Sequence, residues 1–281
     1  MAKDFTFKQF HINAYQCGMP VSTDAILLGA WANINSAKKI LDIGCGTGLL
    51  AIMCAQRNTL ADISAVEIEK NAFKAAQENA INCPWASRLS IHHQSIQDFT
   101  NEVTAHSNFD AIICNPPYFN NGAQSINSQR AVARHTSALS HNNLLSYCAL
   151  LLTEQGTANF VLPKEEGLSF INLLQNTDAE HFLKLSLTRL TYVKTTSSKP
   201  AIRVLIELTK QSTTKCALKS SVSDKLDLLK TDRLNENSLK KRGLNSAMLT
   251  PEWLKNELVI HDGQAYSKEF IELTKAFYLK M

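Results

Sequence analysis

No two of the seven cysteines in this 281-residue chain stand at a C-x-x-C spacing, and their number is odd. Cys45, Cys54, Cys114 and Cys148 lie within apolar stretches and read as reduced core thiols rather than ligands or redox pairs. The eight histidines have no ligand spacing either, and His92-His93 read as alternating positions of a strand, so no metal site is expected. No apolar run approaches the ~20 residues that span a bilayer. The opening Met-Ala-Lys-Asp lacks the apolar stretch of a signal peptide, which predicts a cytoplasmic protein. Neither sign of charge dominates, with 29 Lys and Arg against 25 Asp and Glu. A net charge of +4 is too small to argue for nucleic acid by itself. What is present is enough chain for a large core, and one α/β domain with additions is expected.

The most informative residues are Asn115-Pro116-Pro117-Tyr118, which follow the apolar run Phe109-Asp110-Ala111-Ile112-Ile113-Cys114. Two adjacent prolines cannot continue that strand, because neither has an N–H and each fixes φ near about −65°. The chain therefore leaves the sheet at Asn115 in a stiff shape. The Asn115 amide oxygen and the Pro116 carbonyl can accept both hydrogens of an NH2 group, while Tyr118 stacks on the attached ring. An exocyclic amine is a poor nucleophile, since its lone pair is delocalised. Accepting both hydrogens orients it without a strong base. Taken alone, the four residues also fit a Pro-rich turn.

A second motif narrows the choice. Leu41-Asp42-Ile43-Gly44-Cys45-Gly46-Thr47-Gly48 precedes the apolar Leu49-Leu50-Ala51-Ile52-Met53-Cys54-Ala55, the layout of a strand, a glycine turn and a helix start. The G-x-G-x-G spacing is one residue shorter than the dinucleotide fingerprint and is weak evidence alone. Glu67 ends the next apolar run, nineteen positions after Gly48, where a carboxylate can accept both hydroxyls of a ribose. A nicotinamide cofactor would use the same carboxylate. Asp42 and the downstream Asn-Pro-Pro-Tyr favour S-adenosylmethionine.

Along the chain, an apolar helix is expected from about Thr23 to Ala32 with Ser22 or Thr23 as its cap. Strand–helix units then repeat to about residue 163, with Gly156 ending a helix and Ala158–Leu162 forming a strand. Such alternation predicts a mostly parallel, doubly wound sheet with both motifs at strand C-terminal ends. The stretches 184–190 and 202–208 read as an antiparallel hairpin closing the sheet edge.

With these residues the chain resembles the Asn-Pro-Pro-Tyr amino-methyltransferases that use S-adenosylmethionine, and most closely the branch that acts on a transfer RNA adenine. The similarity extends to Phe5–Phe10, Val21–Trp31, Arg130–Arg134 and Leu273–Leu279, and covers most of the chain. It implies a Rossmann-like class I methyltransferase fold, S-adenosylmethionine as cofactor, and the exocyclic N6 of adenine 37 in a tRNA anticodon loop as acceptor. The implied cofactor residues are Thr23, Asp42, Gly44, Gly46, Gly48, Glu67 and Asn115. Asn115, Pro116 and Tyr118 are implied for catalysis, through in-line displacement, after the adenine has left its stack. Phe119 reads as a second wall of the pocket or as a core anchor. Arg130 and Arg134, four apart on an expected helix, read as phosphate contacts or as a surface ion pair. Two departures stand out. Pro20-Val21-Ser22-Thr23-Asp24 replaces the family's Lys-Val-Gly-Thr-Asp. After the strand Leu89–His93, where the family carries an acid that meets the cofactor's adenine, this chain has Gln94 and Ser95, and its first acid is Asp98. Ser95 or Asp98 takes that contact.

The expected organisation is an N-terminal segment over 1–35, a methyltransferase domain over 36–210, a basic insertion over 211–256, and a C-terminal strand and helix over 257–281. Residues 210–255 hold ten Lys and Arg against five Asp and Glu, with Lys240-Lys241-Arg242 the densest run. That segment reads either as a tRNA-binding appendage or as solvated lysines. The expected partner is tRNA, with no metal and no membrane, and the expected state a monomer. Three alternatives remain. A protein glutamine N5-methyltransferase or an rRNA amino-methyltransferase presents the same NH2 geometry, and a non-catalytic RNA-binding factor would keep the fold without turnover.

Overall fold

The computed structural model describes residues 4–14, 21–103, 109–116, 139–175, 185–211 and 256–279. Its centre is a nine-stranded sheet built from β3 (Lys39–Ile43), β4 (Asp62–Glu67), β5 (Leu89–His93), β6 (Phe109–Cys114), β7 (Leu152–Pro163), β8 (Leu185–Thr196), β9 (Ala201–Lys210), β10 (Glu257–Asp262) and β11 (Ala265–Tyr266). The spatial order is β11-β10-β8-β9-β7-β6-β3-β4-β5. Strands β5, β4, β3, β6 and β7 are mutually parallel, and β9 runs antiparallel to both β7 and β8. Parallel strands need helical crossovers that cover both faces, which is why β3 and β6 read as nearly continuous apolar runs. The pleat sorts their side chains between two cores. Ile40, Ala111, Ile113 and Val161 join one, and Leu41, Ile43, Ile112, Cys114 and Leu162 join the other.

The helices fill the two layers. Among the described residues these are α1 (Thr23–Trp31), α2 (Leu49–Arg57), α3 (Lys70–Asn82), α4 (Ile96–Val103), α5 (His141–Leu151), α6 (Lys164–Asn172) and α7 (Lys268–Thr274). In α1 every residue from Ala25 to Ala30 is buried, so it is an interior helix rather than an amphipathic one. Ser22 caps it, accepting from the Ala25 N–H at 3.1 Å. Its C-terminal end has no basic residue of its own. Instead Arg57 of α2 donates to the Gly29 and Ala32 carbonyls at 2.7 and 2.8 Å, and Arg189 of β8 donates to the Trp31 carbonyl at 3.0 Å. The Arg189 guanidinium also lies over the Trp31 ring at 3.6 Å and pairs with Glu207 at 2.9 Å.

Two features differ from the sequence expectation. The helix before β7 ends at Leu151, and β7 starts at Leu152 instead of after Gly156. Gln155, at φ 67°, and Gly156 lie within a register break in which Phe109 faces Leu152 while Ala111 already faces Thr157. Gly156 is required there by close approach, since a Cβ would stand 2.9 Å from the Thr153 carbonyl. The antiparallel pair β8–β9 forms as expected, but it is not the edge. Parallel β10 adds onto β8 from the C-terminal segment, and β11 follows it.

The two ends of the chain meet on one face. The hairpin of β1 (Phe5–Thr6) and β2 (His11–Ile12) places Phe7 against Phe10 at 4.5 Å between ring centroids and Phe5 near Tyr278 at 6.0 Å. The Lys8 N–H donates to the Phe277 carbonyl at 2.8 Å. Phe7, Phe270 and Phe277 are fully buried in the same core. The terminal blocks that carried the family resemblance are therefore structural neighbours.

Candidate functional site

The C-terminal edges of β3, β4 and β6 lie side by side, and the informative motifs fall there. After β3 the chain turns through Gly44, Gly46 and Gly48 at φ 69°, 56° and 80°, a region that a side chain disfavours. A Cβ on Gly44 or Gly46 would meet no protein atom within 4 Å, so one side of this turn is open. Gly48 differs, because its Cβ would press on Ala76 Cβ of α3 at 3.3 Å. The turn is tied to β4 by Gly44 and Cys45 N–H groups donating to the Val66 carbonyl at 2.9 and 3.0 Å.

Two carboxylates flank the turn. Glu67, almost buried at the end of β4, accepts from the Gly46 N–H and the Glu69 N–H, both at 2.8 Å. Its oxygens keep further lone pairs, so the side chain can hold the glycine turn and still accept from a diol. Asp42 is wholly buried. Its Oδ2 accepts from the Ala51 N–H at 3.0 Å, and its Oδ1 has no partner among the described residues. Burial pushes the Asp42 carboxyl up to about 8, with the nearby Glu67 charge adding to the shift. Asp42 thus braces β3 to the first turn of α2 from beneath the glycines.

At the end of β6, Asn115 is half-buried and Pro116 is buried. The Asn115 Oδ1 atom is shielded from solvent and has no hydrogen-bond partner among the described residues. A buried acceptor without a partner costs about 1–3 kcal/mol, and native structures seldom retain one without a use for it. Tyr118, Phe119, Arg130, Arg134 and the run Lys240-Lys241-Arg242 lie outside the described residues.

The remaining sequence-derived positions are also at this edge. Thr23 is exposed in the first turn of α1, and its neighbour Asp24 pairs with Arg203 of β9 at 2.8 Å. Ser95 caps α4. Its hydroxyl accepts from the Asp98 N–H at 3.0 Å and donates to Asp98 Oδ2 at 2.7 Å. One residue therefore holds the other, and the two candidate adenine contacts form a single unit with the carboxylate outermost.

Two residues escaped the sequence reading. Ile68 directly follows Glu67 and is 55 % exposed, an apolar side chain left in the open beside the Glu67 carboxylate. Its carbonyl meets His93 Nε2 at 3.2 Å, and that ring stacks on Phe73 at 4.8 Å. Asn79 is buried in α3 and donates to the Thr47 carbonyl of the glycine turn at 2.9 Å. Nothing in the sequence singles it out, since the same 13-residue helix also holds Asn71 and Asn82. Among the described residues no cluster of His, Cys, Asp and Glu could hold a metal ion, and no helix is long and apolar enough to cross a membrane.

This arrangement of a doubly wound sheet, a glycine turn after the middle one of its five parallel strands and an Asn-Pro at the neighbouring strand's end defines a Rossmann-like class I methyltransferase. The methyltransferase small domain model matches residues 22–151. A protein described as a predicted O-methyltransferase from Agrobacterium tumefaciens shares the fold at a TM-score of 0.59 and 15% identity, over 90% of this chain and 96% of that one. A methyltransferase from Pyrococcus furiosus does so at 0.51 and 17% identity, over 72% and 90%. Relatives in sequence are far more similar. The tRNA1(Val) (adenine(37)-N6)-methyltransferase of Aliivibrio fischeri is 43% identical over 281 residues, all of both chains. That of Vibrio campbellii is 43% identical over 99% of this chain and 97% of its own, and that of Photobacterium profundum 42% over all of both. The chain belongs to the family of the tRNA1(Val) (adenine(37)-N6)-methyltransferases. The Aliivibrio alignment spans residues 211–256 as well, so that segment has a counterpart in the relative.

Proposed function

We propose that this protein methylates the N6 of adenine 37 in the anticodon loop of tRNA1(Val), with S-adenosylmethionine as donor. The observation that carries the reading is the buried, unpartnered Asn115 Oδ1 at the strand edge beside the glycine turn. An acceptor so placed asks for an N–H donor, and an exocyclic amine supplies two.

The residues present fit the donor. The open side of Gly44 and Gly46 would leave room for its methionine part, and the remaining lone pairs of Glu67 would accept from a ribose diol. Ile68 offers an apolar surface to the adenine, with the Ser95–Asp98 unit as acceptor for its amine. Thr23 borders the same edge from α1. S-adenosylmethionine would supply an electrophilic sulfonium methyl group: the N–C bond forms as the S–C bond breaks, the donor leaves as its neutral thioether, and the surplus proton of the amine passes to solvent. Asn115 and the Pro116 carbonyl accept the two amine hydrogens and hold the nitrogen lone pair on line, while Tyr118 stacks on the target adenine. Oxygens around the nitrogen favour the positive charge that develops there. Phe119, Arg130, Arg134 and most of the basic segment 211–256 lie outside the described residues; in this proposal Phe119 would supply the second wall and the basic side chains the phosphate contacts.

A protein glutamine offers the same NH2 group, so the acceptor class is what must be tested. Labelled donor is incubated with the enzyme and either tRNA lacking modification or a release-factor protein. Label in the tRNA and none in the protein is expected; the reverse overturns the acceptor and leaves the donor site standing.

A further inference from the structure

Asn79 hydrogen-bonds to two backbone segments that are far apart in sequence and share one core. Its Nδ2 donates both to the Thr47 carbonyl, in the glycine turn, at 2.9 Å and to the Asn13 carbonyl at 3.0 Å. Its Oδ1 accepts the Asn13 N–H at 2.9 Å. The side chain is 3 % exposed, so these bonds are shielded from competing water. Asn13 belongs to the N-terminal segment, whose next residue, Ala14, donates its N–H to Asp4 Oδ1 at 3.0 Å. A second contact from the same helix supports the turn, where Ala76 packs against Gly48. One amide thus fixes the backbone of the cofactor turn with one hydrogen and the backbone of the N-terminal segment with its other hydrogen and its oxygen.

We infer that Asn79 is a positioning residue that couples occupancy of the glycine turn to ordering of the N-terminal segment, residues 4–14. The inference rests on the glycine turn being the S-adenosylmethionine site. A ligand that fixes the Thr47 peptide fixes the Asn79 amide, and the amide then offers the Asn13 peptide a stationary partner on both its N–H and its carbonyl. By reciprocity, the segment in its bonded form raises the affinity of the turn for its ligand. The arrangement needs a carboxamide at this reach. Aspartate would accept from Asn13 but face two carbonyls without a donor, and leucine would leave all three backbone groups unsatisfied.

The test uses the full-length protein and S-adenosylmethionine. In the wild type, amide hydrogen exchange over residues 4–14 is expected to slow when the donor is added. In Asn79→Ala and Asn79→Asp, the dissociation constant for the donor is expected to rise about tenfold, the KM for the donor to rise with it, and kcat at saturation to change far less. The donor-dependent slowing over residues 4–14 should disappear in both. Donor binding to the wild type without any slowing in that segment overturns the coupling, whatever the variants do. An unchanged dissociation constant in a folded variant overturns the positioning role. Loss of kcat with an unchanged KM overturns it as well, since that places Asn79 on the chemistry. Absence of donor binding to the wild type itself would instead overturn the donor reading.

Discussion

At the scale of single residues, the site is a set of acceptors in which two oxygens, Asp42 Oδ1 beneath the glycines and Asn115 Oδ1 at the strand end, have no partner among the described residues. Asn115 Oδ1 is buried without a partner, whereas Glu67 uses both oxygens on backbone N–H groups and Asp42 uses one. Removing Asn115 Oδ1 takes away an amine acceptor and leaves the glycine turn intact. Asn115→Ala should therefore lower kcat by about a hundredfold or more with donor affinity changed by less than about twofold. Calorimetric titration beside single-turnover rates checks this, and equal loss of both would remove Asn115 from its role. Asp42 makes a different prediction. Its carboxyl is raised from 3.8 to about 8, so the folded chain holds a proton that the unfolded chain releases between those values. The contribution favours folding at low pH and is lost as pH rises through that window. Asp42→Asn keeps an acceptor for the Ala51 N–H and cannot ionise. Its thermal midpoint should fall less than that of the wild type between pH about 5 and about 8.5, and parallel profiles would contradict the burial argument. The motif residues were legible because glycines, prolines and a strand-end acid have few other uses in that order. Asn79 was not, since its partners are backbone groups 32 and 66 positions away.

At the scale of elements, α1 is the piece whose placement depends most on other parts of the chain. Its apolar run was readable as a helix and Ser22 as a possible cap, but nothing local to α1 satisfies its last carbonyls. Arg57 and Arg189 do so from α2 and β8, and burial lowers both guanidinium groups from their usual range. Arg57→Ala leaves the Gly29 and Ala32 carbonyls without that donor, at a cost of about 2 kcal/mol. Urea unfolding should show the midpoint fall with an unchanged slope. A midpoint equal to that of the wild type would mean that the two carbonyls find another partner. The start of β7 was misread for a physical reason. Gly156 looks like a helix terminator in sequence, yet it serves a close approach between Thr153 and Phe109 inside a strand. The edge assignment of the β8–β9 hairpin failed similarly, because the strand that covers β8 comes from beyond residue 256.

At the scale of the whole molecule, the sheet delivers the glycine turn, Glu67 and Asn115 to one edge, while the joined chain ends pack into the core that also holds α1 and α2. Alternating strands and helices were enough to give the doubly wound sheet, since parallel pairing leaves little choice of connection. The meeting of Phe5–Phe10 with Phe277 and Tyr278 was not readable, because aromatic rings carry no label of which distant ring they will join. Relatives named for adenine 37 of tRNA1(Val), together with an orphaned amine acceptor at the expected strand end, converge on one reaction. The most direct measurement is methyl transfer from labelled S-adenosylmethionine to an unmodified tRNA1(Val) transcript, beside a transcript with guanosine at position 37, followed by nucleoside analysis. N6-methyladenosine in the first and no label in the second is the expected result. Equal labelling of both transcripts, or label recovered in any other nucleoside, would contradict it.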